Sequence, residues 1–318
     1  MVAARHERKE IIPGTAGKSE GTGVATREGR RQCAPQLLAD DVERWLDERA
    51  REKDQPFFLY DELNLPHANN EAGNAKSPLS HGLESPGYGE FAGKDWPDVE
   101  KGFASVMRFI DDQVGAVLAK LKALGPDENT IVFFTSDKGP HEEGLHHVAF
   151  FQSNDGLTGK KRDLTEGGVR EPFLARWPGK IKAGSVSGHI RGFQDFMPTA
   201  AEHAGTSVKA CDGISFVPAL LGKNGEQKQH PYLFWNFMER SGKQSVLEWP
   251  WKLIHLNTGI ADAAPKNAAK NNAAAAKPME VQLFNMEADP AERKNVAAEN
   301  PAIVKRLEML MQQAWHAP

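Results

Sequence analysis

Two cysteines in 318 residues, Cys33 and Cys211, are too few for a disulfide framework and lack the spacing of metal ligands. Neither sign of charge is in excess: 39 Lys and Arg stand against 43 Asp and Glu, a net charge of -4 with a pI near 6.3. That balance excludes the basic surplus with which nucleic acid or an anionic membrane is usually bound. No run of about 18 apolar residues occurs, so no transmembrane helix is expected. The first 30 residues are charged and glycine-rich, without the apolar segment of a secretory signal. As written, the chain reads as soluble and unexported.

What is present is globular. Hydrophobic residues make up 40% and charged residues 26%, in a length suited to one large domain or two modest ones. Residues 1–34 are low in apolar content and broken by glycine, which predicts an irregular N-terminal segment. An amphipathic helix is predicted next, with Leu38, Val42, Trp45 and Leu46 on one face. PFFLY at 56–60 has the length of a buried strand, and residues 61–100, rich in Asn, Gly, Pro and Ser, read as a long loop. Phe103, Val106, Met107, Ile110, Val114, Val117, Leu118, Leu121 and Leu124 recur at helical spacing. After the breaker GPDEN, TIVFFTS at 130–136 reads as a fully apolar strand. That helix–turn–strand order predicts a parallel sheet covered on both faces.

A second strand is expected at 169–178 and a helix at Phe193–His203. Beyond about residue 225, short alternating strands predict a small antiparallel sheet, interrupted by a low-complexity stretch at 259–278 and closed by an amphipathic helix. The expected division is a segment 1–34, an α/β core over 35–225, and a small α+β subdomain over 226–318.

Three stretches can carry chemistry. TIVFFTS runs into Asp137, and ligands of α/β sheets gather beyond the carboxyl ends of strands, so this aspartate is placed to bind a hard cation. Taken alone, Asp-x-Gly also makes an ordinary turn. In GKKRDLTEGGVREPF, 159–173, cations precede an acidic residue and a glycine pair, which suits a tetrahedral oxyanion or a solvated basic turn. His67, in NLPHANNE at 64–71, can donate a proton to a leaving group or sit on the surface.

Together, PFFLY with PHANNE, TSDxGPH, GKxRDLxEGGVRxPFxxRWPGKI and DGISFxPxLLG occur in order along the chain. In this the chain resembles a type I sulfatase of the arylsulfatase kind, within the alkaline-phosphatase-like superfamily. The resemblance runs from Ala34 to Ala297 and includes the late LFNMEADPAE. It implies an α/β fold, part of an alkaline-phosphatase-like mixed sheet flanked by helices, with a small C-terminal antiparallel sheet and helix. It also implies sulfuric ester hydrolysis, a sulfate ester small molecule or sulfated glycan as substrate, and calcium. By the same resemblance Asp137 matches the calcium-ligating aspartate and Lys161 the lysine that binds the sulfate group. His67 matches the histidine that protonates the leaving alcohol. His141 and His146 flank the Asp137 loop with no role assigned. Family members are often periplasmic, secreted or lysosomal, which leaves the location open.

The pattern also has departures. The family's nucleophile is a formylglycine made from the cysteine of C-x-P-x-R. CAPQL at 33–37 ends in Leu37 instead of arginine, so Cys33 is read as non-catalytic and the formylglycine nucleophile as absent. The paired aspartates and the Lys-x-His pair of the family's N-terminal half have no counterpart, whereas calcium usually takes six or more oxygens. Lys138 stands where the family has a metal-ligating asparagine, and a charged ammonium has no lone pair to offer. Its repulsion of a cation is about 4 kcal/mol at about 4 Å for unit charges. Lys138 is therefore expected to pair with Asp137 in place of the metal. Asp61 and Glu62 stand where relatives tend to be apolar.

Three readings follow: a sulfatase-family hydrolase that is expected to be truncated, lacking the N-terminal nucleophile half, and so weakly active or inactive alone; a non-catalytic sulfatase-like remnant or pseudoenzyme domain; and a phosphatase or phosphodiesterase of the same superfamily. Half of such a sheet would expose an unpaired edge, which predicts poor solubility.

Overall fold

A computed structural model describes residues 34–52, 55–68, 82–83, 85, 87–239, 241–260 and 277–315. The expected irregular segment up to residue 33, Cys33, most of the low-complexity stretch, and the middle of the long loop at 69–81 lie outside the described residues. In chain order the helices and strands are α1 (Ala34–Arg49), α2 (Asp98–Leu124), β1 (Val132–Thr135), α3 (Val148–Phe151), α4 (Glu166–Val169) and β2 (Phe173–Arg176). They continue with α5 (Phe196–His203), α6 (Val217–Leu220), β3 (Leu233–Phe237), β4 (Lys243–Glu248), β5 (Trp251–Leu256), β6 (Glu280–Asn285) and α7 (Pro301–Ala314). The chain divides into two compact units, Met1–Thr130 with His141–Phe150, and Ile131–Pro140 with Phe151–Pro318.

In the first unit α1 packs along α2. Leu46, Ala39 and Pro35 are buried, while Leu38, expected on the same face, is 41% exposed. The face is centred a residue away from the apolar stripe, on the ridge that meets α2. Helix α2 buries Phe103, Val106, Ile110 and Leu121 and stops at Gly125, whose φ of 94° lets its N–H close on Leu121 O. PFFLY is not a strand: residues 56–60 have no regular structure, with Phe58 52% and Tyr60 72% exposed. A strand exists only through its ladder, and among the described residues none is paired with this run.

In the second unit β1 and β2 pair antiparallel, with Val132 opposite Arg176 and Thr135 opposite Phe173. The parallel sheet expected from the apolar run is thus not what forms here. A parallel return usually runs through a long crossover helix, and between β1 and β2 no helix exceeds four residues. Phe133 packs against Phe173, Phe196 and Phe216 at centroid distances of 5.6, 5.8 and 6.0 Å.

The expected C-terminal sheet is present, antiparallel in the order β3-β4-β5-β6. Strand alternation gives it two apolar faces. Val246, Leu253 and Leu283 meet Leu307 and Met311 of α7 on one face. Leu247, Ile254 and Phe284 meet Leu164 and Val169 on the other. That second face is the floor beneath residues 159–169, the segment that carries Lys161.

Candidate functional site

The Asp137 and Lys161 loops are clipped together through their backbones. Gly139 N–H donates to Gly168 O at 3.1 Å, and Lys161 N–H donates to Pro140 O at 2.8 Å. This close approach explains the glycines. A Cβ on Gly139 would stand 2.0 Å from Gly167 O, one on Gly167 2.4 Å from Gly159 O, and one on Gly168 2.3 Å from Asp163 O. The loop itself turns through left-handed residues, Gly159 at φ 91° and Arg162 at φ 76°. Its curl is fixed by Asp163, which accepts from Lys160 N–H and pairs with Lys243 Nζ at 2.8 Å, while the same Nζ donates to Arg162 O.

Below the loop lies an ion triad. Lys252 of β5 is fully buried and reaches Glu166 Oε1 at 2.8 Å and Glu292 Oε1 at 2.9 Å. Glu292 in turn accepts the N–H of Glu166, the first residue of α4. Burial pushes the Glu292 carboxyl up, and the charge of Lys252 pulls it back. Lys252 shares its side of β5 with Ile254, so the strand's alternation delivers both to the loop.

Asp137 and Lys138 are both exposed, and no ion pair joins them among the described residues. The salt bridge expected from the sequence is therefore not formed. The two residues lie in a bend beyond β1, where Lys138 O is held by Ser136 Oγ at 3.0 Å. The carboxyl that feels both charges is Glu171. Burial pushes it up to about 7, the charges of Asp137 and Glu166 add to that, and Lys138 opposes it.

His67 belongs to the other unit. Its Nδ1 lies 2.7 Å from Ala68 O, and its Nε2 stands 3.1 Å from Glu143 Oε2. The His141 ring stacks on it at 6.1 Å, with Nε2 at 2.8 Å from Pro66 O and Nδ1 accepting Glu143 N–H at 3.0 Å. His141 thus staples the turn that presents His67. His146 is buried against Glu100, Nδ1 to Oε2 at 2.6 Å, with its ring flat on Phe103 at 3.7 Å. Glu100 Oε1 also accepts His147 N–H. Both flanking histidines therefore have structural partners within their own unit.

Sequence reasoning missed Glu143, Glu100, Glu171, Lys252 and Glu292. A signal existed for Glu100, which falls three residues before Phe103 in the apolar stripe of α2, a place where a carboxylate needs a partner. Lys252 gave a similar sign, a charge inside the alternation of β5.

The residues at the Asp137 loop do not fit calcium. One exposed aspartate has a lysine beside it, Glu171 is a carboxyl held partly neutral by burial, and the described residues include no group of three or more His, Cys, Asp or Glu placed to hold an ion. Asp137, Lys138 and Lys161 share one unit and a backbone-clipped pair of loops, while His67 is placed in the other unit.

A sequence model of the family described as Sulfatase matches residues 5–206. The chain is 31% identical over 285 residues to arylsulfatase A of Bos taurus, covering 83% of this chain and 50% of that protein. It is also 31% identical over 216 residues to N-acetylgalactosamine-6-sulfatase of Canis lupus familiaris, covering 64% of this chain and 36% of that one. The chain thus spans about half or less of the length of these curated relatives. Among solved structures it superposes on Ps i-CgsB with a TM-score of 0.65 at 23% identity, over 89% of this chain and 55% of the other. The protein BT4656, solved with its substrate D-glucosamine-2-N,6-O-disulfate, matches with a TM-score of 0.61 at 20% identity, over 89% of this chain and 69% of the other. These likenesses give the fold as α/β of the alkaline-phosphatase-like kind, built from helices and antiparallel sheets.

Proposed function

The chain belongs to the sulfatase family, and from that premise we propose that it supplies the sulfate-holding and proton-donating residues of a sulfuric ester hydrolase. Lys161 takes the role of holding the sulfuryl oxygens, as a compact cation on a loop that the backbone clip and the ion triad make rigid. His67 takes the role of acid toward the leaving alcohol, presented on a turn that His141 secures. Asp137 lies in the loop clipped to that of Lys161. The observation that carries the reading is this clip, Lys161 N–H to Pro140 O and Gly139 N–H to Gly168 O.

Sulfatases as a family use calcium and a formylglycine nucleophile. Because the donor set here does not fit calcium, no step is assigned to the ion. Cys33, in a C-x-P stretch without the arginine, lies outside the described residues, and no step is assigned to it. We take the substrate class to be a sulfated sugar or another sulfate ester. The names of the glycan-directed relative and of the disulfated glucosamine complex support that choice.

A second reading, a domain that binds sulfate esters without turning them over, is favoured by Lys138, a donor where the family has an oxygen ligand. Calorimetric titration of the whole chain with inorganic sulfate, phosphate and 4-nitrophenyl sulfate tests both. The proposal expects saturable binding of sulfate or its ester, lost in Lys161→Ala. Turnover of the aryl sulfate that depends on His67 separates the first reading from the second. Binding that survives Lys161→Ala, or that favours phosphate over sulfate, overturns the proposal.

A further inference from the structure

His67 and His141 are stacked imidazoles with opposite hydrogen-bond surroundings, and one residue sets both. The backbone N–H of Glu143 donates to His141 Nδ1 at 3.0 Å, which requires a lone pair there. The ring's other nitrogen, Nε2, then carries the hydrogen donated to Pro66 O at 2.8 Å. His141 is a neutral ring with its tautomer fixed.

Among the described residues, the ring nitrogens of His67 face only acceptors. Nδ1 lies 2.7 Å from a backbone carbonyl, Ala68 O, and Nε2 lies 3.1 Å from the carboxylate of Glu143. A neutral imidazole has one N–H, which would leave a nitrogen lone pair pointing at either the carbonyl or the carboxylate. A hydrogen on each nitrogen removes both conflicts. The Glu143 side chain is only 13% exposed, so its charge acts on the ring through little water, while the His67 side chain is 51% exposed and open to a ligand. Among the described residues, the groups placed against the His67 side chain include the Glu143 carboxylate and the neutral ring of His141. Beyond it stands His146, 5.8 Å from His141 and hydrogen-bonded to Glu100.

We propose that Glu143 is a positioning residue for His67: its carboxylate, with Ala68 O, holds the imidazole doubly protonated and orients Nε2–H as the proton to be given up. Nδ1–H stays on Ala68 O throughout, so the ring keeps its orientation when Nε2 loses its hydrogen. The inference deepens the reading of His67 as the acid and rests on it for its meaning. Its test does not depend on turnover.

Nitrogen-15 spectra of the histidine rings in the whole chain, at about pH 7, give the readout. In the unaltered chain both ring nitrogens of His67 are expected in the protonated range, while His141 shows one protonated and one bare nitrogen. In Glu143→Gln, Nε2 of His67 is expected to move to the bare range while Nδ1 stays bonded to Ala68, and Glu143→Asp is expected to restore the first pattern in part. His141 and His146 signals serve as the fold control, since the Glu143 backbone N–H survives these changes. A neutral His67 in the unaltered chain overturns the inference without any variant, and so does an unchanged His67 in a folded Glu143→Gln. If the spectra behave as expected but His67→Ala leaves aryl sulfate binding and turnover unchanged, the reading of His67 as the acid fails and the positioning by Glu143 stands.

Discussion

Lys252 Nζ, with no solvent exposure, lies 2.8 Å from Glu166 Oε1, so a strand of the C-terminal sheet grips the helical turn five residues beyond Lys161. The same ammonium neutralises Glu292, and the triad stands or falls as one. Lys252→Met is expected to leave two carboxylates facing each other and to destabilise the second unit by about 3–5 kcal/mol. The measurement is urea unfolding followed by fluorescence. A loss below about 1 kcal/mol would mean that the carboxyls protonate at little cost and that the triad contributes little.

The clip between loops gives a sharper test of sulfate binding. Gly139→Ala places a methyl 2.0 Å from Gly167 O, a backbone atom that cannot swing away. The expected cost is about 1–3 kcal/mol of stability, with sulfate affinity falling alongside it. Calorimetry on a folded Gly139→Ala chain that still binds sulfate at full affinity would show that the clip does not serve Lys161.

Glu171 gives a pH dependence with a definite sign. Its carboxyl ionises near 4.5 when unfolded and at about 7 in the fold. Below the first value both states are protonated and nothing is lost. Between the two the unfolded chain releases its proton first, so stability falls as pH rises, and the full penalty is present above about 7. Glu171→Gln is expected to raise the melting temperature by roughly a few degrees at alkaline pH, scaled down by partial exposure, and to change little under acid conditions. Equal effects at both ends of the pH range would contradict the assignment.

Calcium titrated into the unaltered chain is expected to show no saturable micromolar binding. Lys138→Asn removes a positive charge and supplies an oxygen, and an affinity gain of at least about tenfold is expected. Micromolar binding by the unaltered chain would overturn the view that the loop does not fit the ion.

Much of this was legible from the residues and some was not. The long stripe of α2 and the alternating strands of the C-terminal sheet declare their periods locally, and both formed where expected. PFFLY failed because an aromatic run is equally compatible with a strand and with an exposed extended segment, and only a neighbour decides. The direction of β1 against β2 failed for a related reason, since an apolar run carries no arrow. At the site, EGG could be read as a loop, but its meaning as a three-way backbone contact needed Gly139 and Gly159 in space. Glu143 left no sign in the sequence, and the charge of Lys252 inside β5 could be seen without its partner, since the partners lie 76 and 86 residues away.

Leu164 and Val169, packed on Ile254 and Phe284, make the Lys161 loop part of the sheet's apolar floor. The loop then has no separate melting transition: its amides and those of β4 and β5 should exchange with solvent in the same opening event. A perturbation that loosens the C-terminal sheet at a distance, from heat or from a lesion under α7, is therefore expected to reach Lys161 as a loss of order without touching any residue proposed to hold sulfate.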